Sequence, residues 1–410
     1  PDTETVVLDV VETRNGPIIL EDGGKKYALK WTARGTNTSE FGAFYVLNRA
    51  KDWNDFKSAL RNYGGATQNF VYADVKGNIG WYAAGKVPIR KIGDGSTPYD
   101  GSTDDGEWIG SIPFDELPNL YNPAEGFIVT ANQRIVGTSY KYTQMSRDAA
   151  SPWRARRIYD LLKSNTKVTM DDVAAIQHDA YNIPLANFAK EIVAQNGASA
   201  ETISLLKSWD GKMMPDSKAA LLVNEIRVCV ANKIAAENKP APVNIIRERI
   251  LDWAARERSP RWLPKEFVDY TTLMKACDAE ARSSLADPTR LGPDESKWTW
   301  GAVTRSRFAH TLAAAPLIGG QFATPLVGIA GSGQTPNVAS GVSMRHIASP
   351  GNWDATRHVI PLGQSGDPRS PHYKDQFEAW RTGSAAIFPF SRAAVDAHTQ
   401  QLLSFRPVNQ

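Results

Sequence analysis

Along the first 150 residues, apolar positions alternate with polar ones at a period near two, the pattern of half-buried strands. Val6–Thr13 and Tyr27–Thr32 have strand composition and flank the turn clusters Asn15-Gly16-Pro17 and Asp22-Gly23-Gly24. The clearest hairpin joins Asn69–Asp74 to Ile79–Lys86 through Lys76-Gly77-Asn78, whose Gly and Asn accept the positive φ that antiparallel connections need. Upstream, Phe56, Ala59 and Leu60 fall on one face of a helix over 53–60, which Asn54 or Asp55 can cap. A short amphipathic helix is therefore expected to pack on this sheet. Gly126–Ala131 reads as a further strand, ending at Asn132.

From Arg154 to about Leu285 the period changes to 3.6. Ile158, Leu161 and Leu162 share a face, and Thr169 with Asp172 three residues later is an N-cap with an acidic first turn. Further helices are expected at 185–195, 200–208, 217–237, 243–255 and 265–284, punctuated by Pro184, Gly197, Pro215, Pro240 and Pro264. After Trp298-Thr299-Trp300-Gly301 the chain turns Gly/Ser-rich from Gly328 to Gly341, and strand-like runs return at Val342–Ile347 and His358–Leu362. The expected organisation is an α+β layered domain: a β-rich part (1–153), a helical insertion (154–297) and a return to the core (298–410).

Composition narrows the function. The chain has 410 residues, with 47 Lys and Arg against 44 Asp and Glu, for a net charge of +3. With the charges interleaved, no clustered cation excess is available to grip nucleic acid regardless of sequence. The most apolar stretch, Leu312 to Ala330, is broken by Pro316, Gly319, Gly320 and Pro325, so no membrane span is expected. Cys229 and Cys277 cannot build a disulfide framework; buried thiols are the first reading, and a single bridge in an oxidising compartment is the other. Pro1 leads straight into an apolar run without an initiator Met, so the chain start is not expected to be a gene start.

Most catalytic signatures fail. There is no Gly-x-Ser-x-Gly elbow, phosphate-binding Gly-Lys loop, His-Glu-x-x-His or Cys-x-x-Cys, and the six histidines are scattered. Ser164-Asn165-Thr166-Lys167 sits at a helix exit and reads as a turn. The acidic loop from Asp100 starts like a calcium loop but has Asp105 where Gly is required and Ser111 where Glu is required. Two blocks carry more. Asn132 in Thr130-Ala131-Asn132-Gln133-Arg134 can donate its amide to a developing oxyanion or merely satisfy a turn. Arg154, Arg156 and Arg157 crowd the start of a helix, where the dipole disfavours cations; either an anion or carboxylate partners would account for them.

These blocks stand in a collinear series that resembles the penicillin acylase (penicillin amidase) family of N-terminal nucleophile hydrolases. The series runs through Thr13-Arg14-Asn15-Gly16-Pro17, Asn69–Asp74 with Gly77-Asn78-Ile79-Gly80, Pro88-Ile89-Arg90, Trp108-Ile109-Gly110, Thr130–Arg134 and Trp153–Ile158. It continues with Trp209-Asp210-Gly211, Trp298–Gly301, Ser343-Met344-Arg345, Gly363–Gly366 and Ser370–Gln376. The resemblance implies a four-layer αββα core, incomplete here, and places the chain in the later part of the large (β) subunit. The family's precursor cleaves itself, and the new N-terminal Ser attacks an amide carbonyl with its own α-amine as base, a group whose ordinary pKa of about 7.7–8.0 suits the task.

Carried over by motif, Asn132 would be the side-chain half of the oxyanion hole, and Arg154 would orient the α-amine region or the substrate. The family's structural calcium ion would draw on the Pro98 carbonyl and Asp148, with further ligands from elsewhere. The expected partners are the preceding β segment, the α subunit and a small acyl-amide substrate, of penicillin or N-acyl homoserine lactone type, in the periplasm or outside the cell. The departures are Pro1, which has no hydroxyl where a nucleophile is sought; Thr304, where a His is expected; and Ala348, where an Asp is expected. On this reading the chain alone is inactive. The rival readings are a binding or scaffold protein that kept the fold, and a sugar-binding protein built on Trp53, Trp81, Trp108 and Trp153. The latter is the weaker, because hairpin tryptophans ordinarily pack.

Overall fold

The structure is a computed structural model that describes residues 5, 7–34, 40–142, 145, 149–238, 243–339 and 341–407. It divides into two compact units, 1–150 and 151–410.

In the first unit, strands β1 (Glu12–Thr13), β2 (Gly16–Asp22) and β3 (Lys25–Ala28) form one antiparallel sheet. Gly23 and Gly24, with φ of +54° and +74°, make the two-residue turn that joins β2 to β3. That turn pairs Asp22 with Lys25, so the strand starts there and ends at Ala28, ahead of the expected Tyr27–Thr32. The run expected over Val6–Thr13 enters a strand only at Glu12; Val7 and Leu8 are about four-fifths exposed (82% and 80%) because no neighbour among the described residues pairs with them.

Helix α1 (Glu40–Leu47), not foreseen, has no polar face to reveal it: seven of its eight residues, Glu40 excepted, are apolar or Gly. Helix α2 (Trp53–Leu60) forms where expected, but Asp52, not Asn54 or Asp55, caps it, accepting from the Asn54 and Asp55 amides. The hairpin of β4 (Gln68–Ala73) and β5 (Ile79–Ala84) is as expected. Asp74 secures its turn by accepting from the amides of Lys76 (2.8 Å) and Asn78 (3.0 Å). Strands β6 (Pro88–Arg90) and β7 (Trp108–Ser111) pair together, while β8 (Asn119–Tyr121) joins the free side of β5.

Helix α2 lies on this sheet through Trp53, whose ring stacks at 5.0 Å on Tyr121 and meets Tyr72 edge-on at 5.6 Å. Gly80 is required beneath it, since a Cβ there would come within 2.4 Å of the indole. Trp53 and Trp81 are both buried, and Trp81 donates to Asn69 at 2.8 Å, so these rings pack the unit and present no sugar platform.

The second unit opens with α3 (Trp153–Lys163), α4 (Met170–Gln177), α5 (Ile183–Ala194), α6 (Ala200–Ser208) and α7 (Lys218–Glu237). There follow α8 (Val243–Ile245), a π-helical turn (Ile246–Ile250), α9 (Leu251–Arg256) and α10 (Tyr270–Ala286). Thr169 caps α4 as expected, and Asp172 bonds back to it to complete a capping box. The helix expected from 265 starts instead at Tyr270, because Asp269 and Thr272 form a capping box that sets its first turn.

The tail comprises α11 (Trp300–Val303), β9 (Arg305–Ser306), β10 (Val327–Gly328), β11 (Arg345–Ile347), β12 (Arg357–Val359), α12 (Phe377–Thr382), β13 (Ala386–Ile387) and α13 (Arg392–His398). Among the described residues its strands pair only with one another, as β9–β10 and β11–β12–β13. Trp300 packs into the main helical core, and Trp298 packs on Leu221, Leu222 and Leu285.

Cys229 on α7 and Cys277 on α10 are joined as a disulfide across 48 residues, with Cα atoms 5.6 Å apart. This replaces the reading of two buried thiols: both residues lie on inward faces of neighbouring helices, a juxtaposition that periodicity along one helix cannot reveal. Next to Cys277 on α10, Asp278 is buried but satisfied against α6, accepting from the Thr202 hydroxyl and the Ser199 amide, both at 2.8 Å. Reducing the bridge, or replacing it by C229A/C277A, is expected to lower unfolding stability by about 2–4 kcal/mol through the freed loop, measured by urea titration with and without thiol.

His178, at the end of α4, is held down to about 4 by burial and by the nearby Arg345 guanidinium, itself lowered to about 10 by burial. The unfolded chain takes up that proton first, so His178 contributes stability that is complete above about pH 6.5 and is lost as pH falls towards 4. His178→Gln is expected to remove up to one proton's worth of slope, ~1.4 kcal/mol per pH unit, from the urea stability profile over that window.

Candidate active site

Asn132 belongs to the first unit. Residues 127–130, expected as a strand, form none: a strand needs a paired strand beside it, and among the described residues no strand pairs with this run. The segment is held by side chains instead. The Gln133 amide oxygen accepts from the Ala131 backbone at 2.7 Å and its NH2 donates to the Val129 carbonyl at 2.9 Å. Asn132 itself takes a left-handed φ of +62°, and its carbonyl accepts from the Ala150 amide at 2.8 Å. Asn tolerates this conformation better than other non-Gly residues. The Gln133 clamp therefore holds Asn132, an exposed residue, on a bent, fastened loop. Sequence reasoning gave Gln133 no role, although a Gln next to a turn Asn was the available signal.

Asn132, Gln133 and Arg134 line a cavity of about 580 Å³ within the first unit, together with Thr67, Gln68 and Asn69 at the start of β4. Asn69 spends its carbonyl on Trp81 (2.8 Å), and sequence reasoning had not singled it out as a site residue. Four cations, Lys30, Lys86, Arg90 and Arg134, reach the lining against one carboxylate, Asp94. Lys30 pairs with Glu107 and lies over the Trp108 ring at 5.5 Å. The cavity is thus polar, electropositive and of a size for a small molecule.

Arg154 belongs to the second unit, in the first turn of α3, which has no side-chain cap; burial pushes its guanidinium below the usual range. The other two arginines are taken up structurally. Arg156 bonds Asp160 one turn on (2.9 Å), and Arg157 makes a fork-like pair with Asp179 (2.9 and 2.7 Å) over the Tyr181 ring. Carboxylate partners therefore account for two of the three cations.

A cavity of about 390 Å³ in this unit is lined by Trp153, Arg227 and Gln334 among others, but its polar groups are largely engaged: Arg227 on Asp252 and the Arg247 carbonyl, Gln334 on Glu248 at 2.7 Å, and Asn182 on Ser332 at 2.9 Å. Of the calcium candidates, Pro98 lies in an exposed loop and Asp148 lies outside the described residues. Among the described residues no three His, Cys, Asp or Glu side chains converge as a metal site.

The architecture has a solved counterpart. A thermostable penicillin G acylase from Alcaligenes faecalis matches with a TM-score of 0.67 over 98% of this chain and 79% of that one, at 16% identity, which assigns the N-terminal nucleophile hydrolase fold. The penicillin amidase family model matches residues 2–397, and the chain belongs to that family. A penicillin acylase 2 proenzyme from Pseudomonas sp. (strain SE83) is 30% identical over 97% of this chain and 54% of its own length. An acyl-homoserine lactone acylase QuiP from Pseudomonas fluorescens (strain Pf0-1) is 28% identical over 93% of this chain and 51% of its own length. The chain thus spans about half the length of these curated relatives. Among the described residues no helix is long and apolar enough to cross a membrane.

Replacing Asn132 by Ala is expected to cost about 1 kcal/mol, because Ala resists a left-handed φ, while Asn132→Gly leaves stability nearly unchanged; urea unfolding distinguishes the two.

Proposed function

We propose that this chain is the later part of the large subunit of an amidohydrolase that cleaves a linear amide by an N-terminal Ser carried on a segment outside this sequence. The observation that carries the reading is the clamped loop that presents the Asn132 amide on the electropositive cavity, in a chain of the penicillin amidase family. In this mechanism the Ser Oγ bonds to the amide carbon and its proton passes to the α-amine. Asn132 donates to the oxyanion. The C–N bond then breaks, with the α-amine returning the proton to the leaving nitrogen, and water hydrolyses the ester by the same proton route. Arg154 is assigned to orienting the α-amine or the substrate.

The excess of cations on the lining supports a substrate whose leaving amine bears a carboxylate, as a penicillin nucleus does, ahead of a neutral homoserine lactone. The Cys229–Cys277 bridge supports an oxidising location, periplasmic or extracellular. Calcium takes no part in these steps.

In the complete protein, Asn132→Gly and Asn132→Ala are both expected to lower kcat for penicillin hydrolysis by about 10²–10³, although only the second is destabilising. The 410-residue chain alone is expected to release no amine product. Amide hydrolysis by this chain without an upstream Ser would overturn the assignment, as would an Asn132→Gly protein of unchanged kcat.

A further inference from the structure

Strands β11 and β12 pair antiparallel with His346 directly opposite His358. Their rings meet edge-on, with the two Nδ1 atoms 3.2 Å apart. Phe388, one residue past β13, packs against both, its ring centroid 6.4 Å from His346 and 5.1 Å from His358. Among the described residues no other hydrogen bond engages any of the four ring nitrogens. Neither residue belongs to the site assigned to amide hydrolysis.

An N–H···N hydrogen bond accounts for the contact if one ring carries its proton on Nδ1. The same spacing has a second meaning. Zinc–imidazole bonds of about 2.0–2.1 Å in a tetrahedral shell put neighbouring ligand nitrogens about 3.3–3.4 Å apart, within about 0.2 Å of the spacing here. The strand ladder fixes the two Cβ positions and Phe388 walls the rings, so no ordering of a loop precedes binding.

We propose that His346 and His358 form a two-histidine site for a borderline divalent transition metal ion, of which Zn²⁺ is the type. Binding requires that the ring protonated at Nδ1 move that proton to its free Nε2 and that both rings turn until their Nδ1 lone pairs converge on the ion; no net proton is released. No third His, Cys, Asp or Glu completes the shell among the described residues, so water or an incoming donor takes the remaining positions and the site is exchangeable.

Zinc titration of the whole chain by calorimetry is expected to show about one equivalent bound in the micromolar range, weakened at least about tenfold by His346→Asn and, separately, by His358→Gln. Ring ¹⁵N spectra of the unaltered protein are expected to show both Nδ1 signals shifting on addition of zinc, a readout that does not depend on how the variants fold. Zinc binding unchanged in both variants, or spectra in which neither Nδ1 responds at saturating zinc, overturns the proposal.

Discussion

Helix α7 is the constraint on which the second unit depends. Twelve of its twenty residues are buried, on nearly every side, including Leu221, Leu222, Ile226, Val230 and Ile234 at zero exposure. A helix that is apolar around most of its circumference has to be enclosed. Helices α5, α6 and α10 and the turn ahead of α9 enclose it, and Trp300 from the tail closes the remainder. The disulfide lies within that packing and limits how far α7 and α10 separate when the chain unfolds. Polar groups admitted to this interior are matched: Arg227 by Asp252, and Asp278 by Thr202 and the start of α6.

The first unit is organised differently, around stacked and edge-on aromatic rings on a small three-stranded sheet. Tyr82 is almost wholly buried with its hydroxyl donated to the Phe114 carbonyl at 2.6 Å, and burial moves it up to about 12. This rigid platform leaves the connecting segments to line the cavity. Among the described residues no strand pairs with the run before Asn132, and the side chain of Gln133 bonds its backbone at Ala131 and Val129 instead. A side-chain clamp leaves Asn132 exposed on a bent loop with a left-handed φ.

Much of this was legible in the order of residues. The turn Gly23-Gly24, the hairpin at Gly77 and the capping box at Thr169 act within a few residues of themselves, and each appears where the sequence pattern located it. Family membership was legible for the same reason, since it rests on short blocks in order along the chain. Other features were hidden because they depend on distant neighbours. Val7 and Leu8 have strand composition but no strand partner among the described residues, α1 lacks a polar face, and the run before Asn132 has strand composition but forms no strand among the described residues.

The sequence by itself therefore determined local conformation, the class of fold and the identity of Asn132 and Arg154 as candidates, because caps, turns and motif order are set over spans of a few residues. The tertiary structure decided that Cys229 meets Cys277, that Arg156 and Arg157 answer to carboxylates, that Gln133 clamps the Asn132 turn and that four cations share one cavity. Most of these are meetings between residues distant along the chain, and the rest turn on which side-chain contact prevails in the folded chain. The free energy of such contacts depends on which surfaces face each other after folding, which no periodicity along a single element encodes.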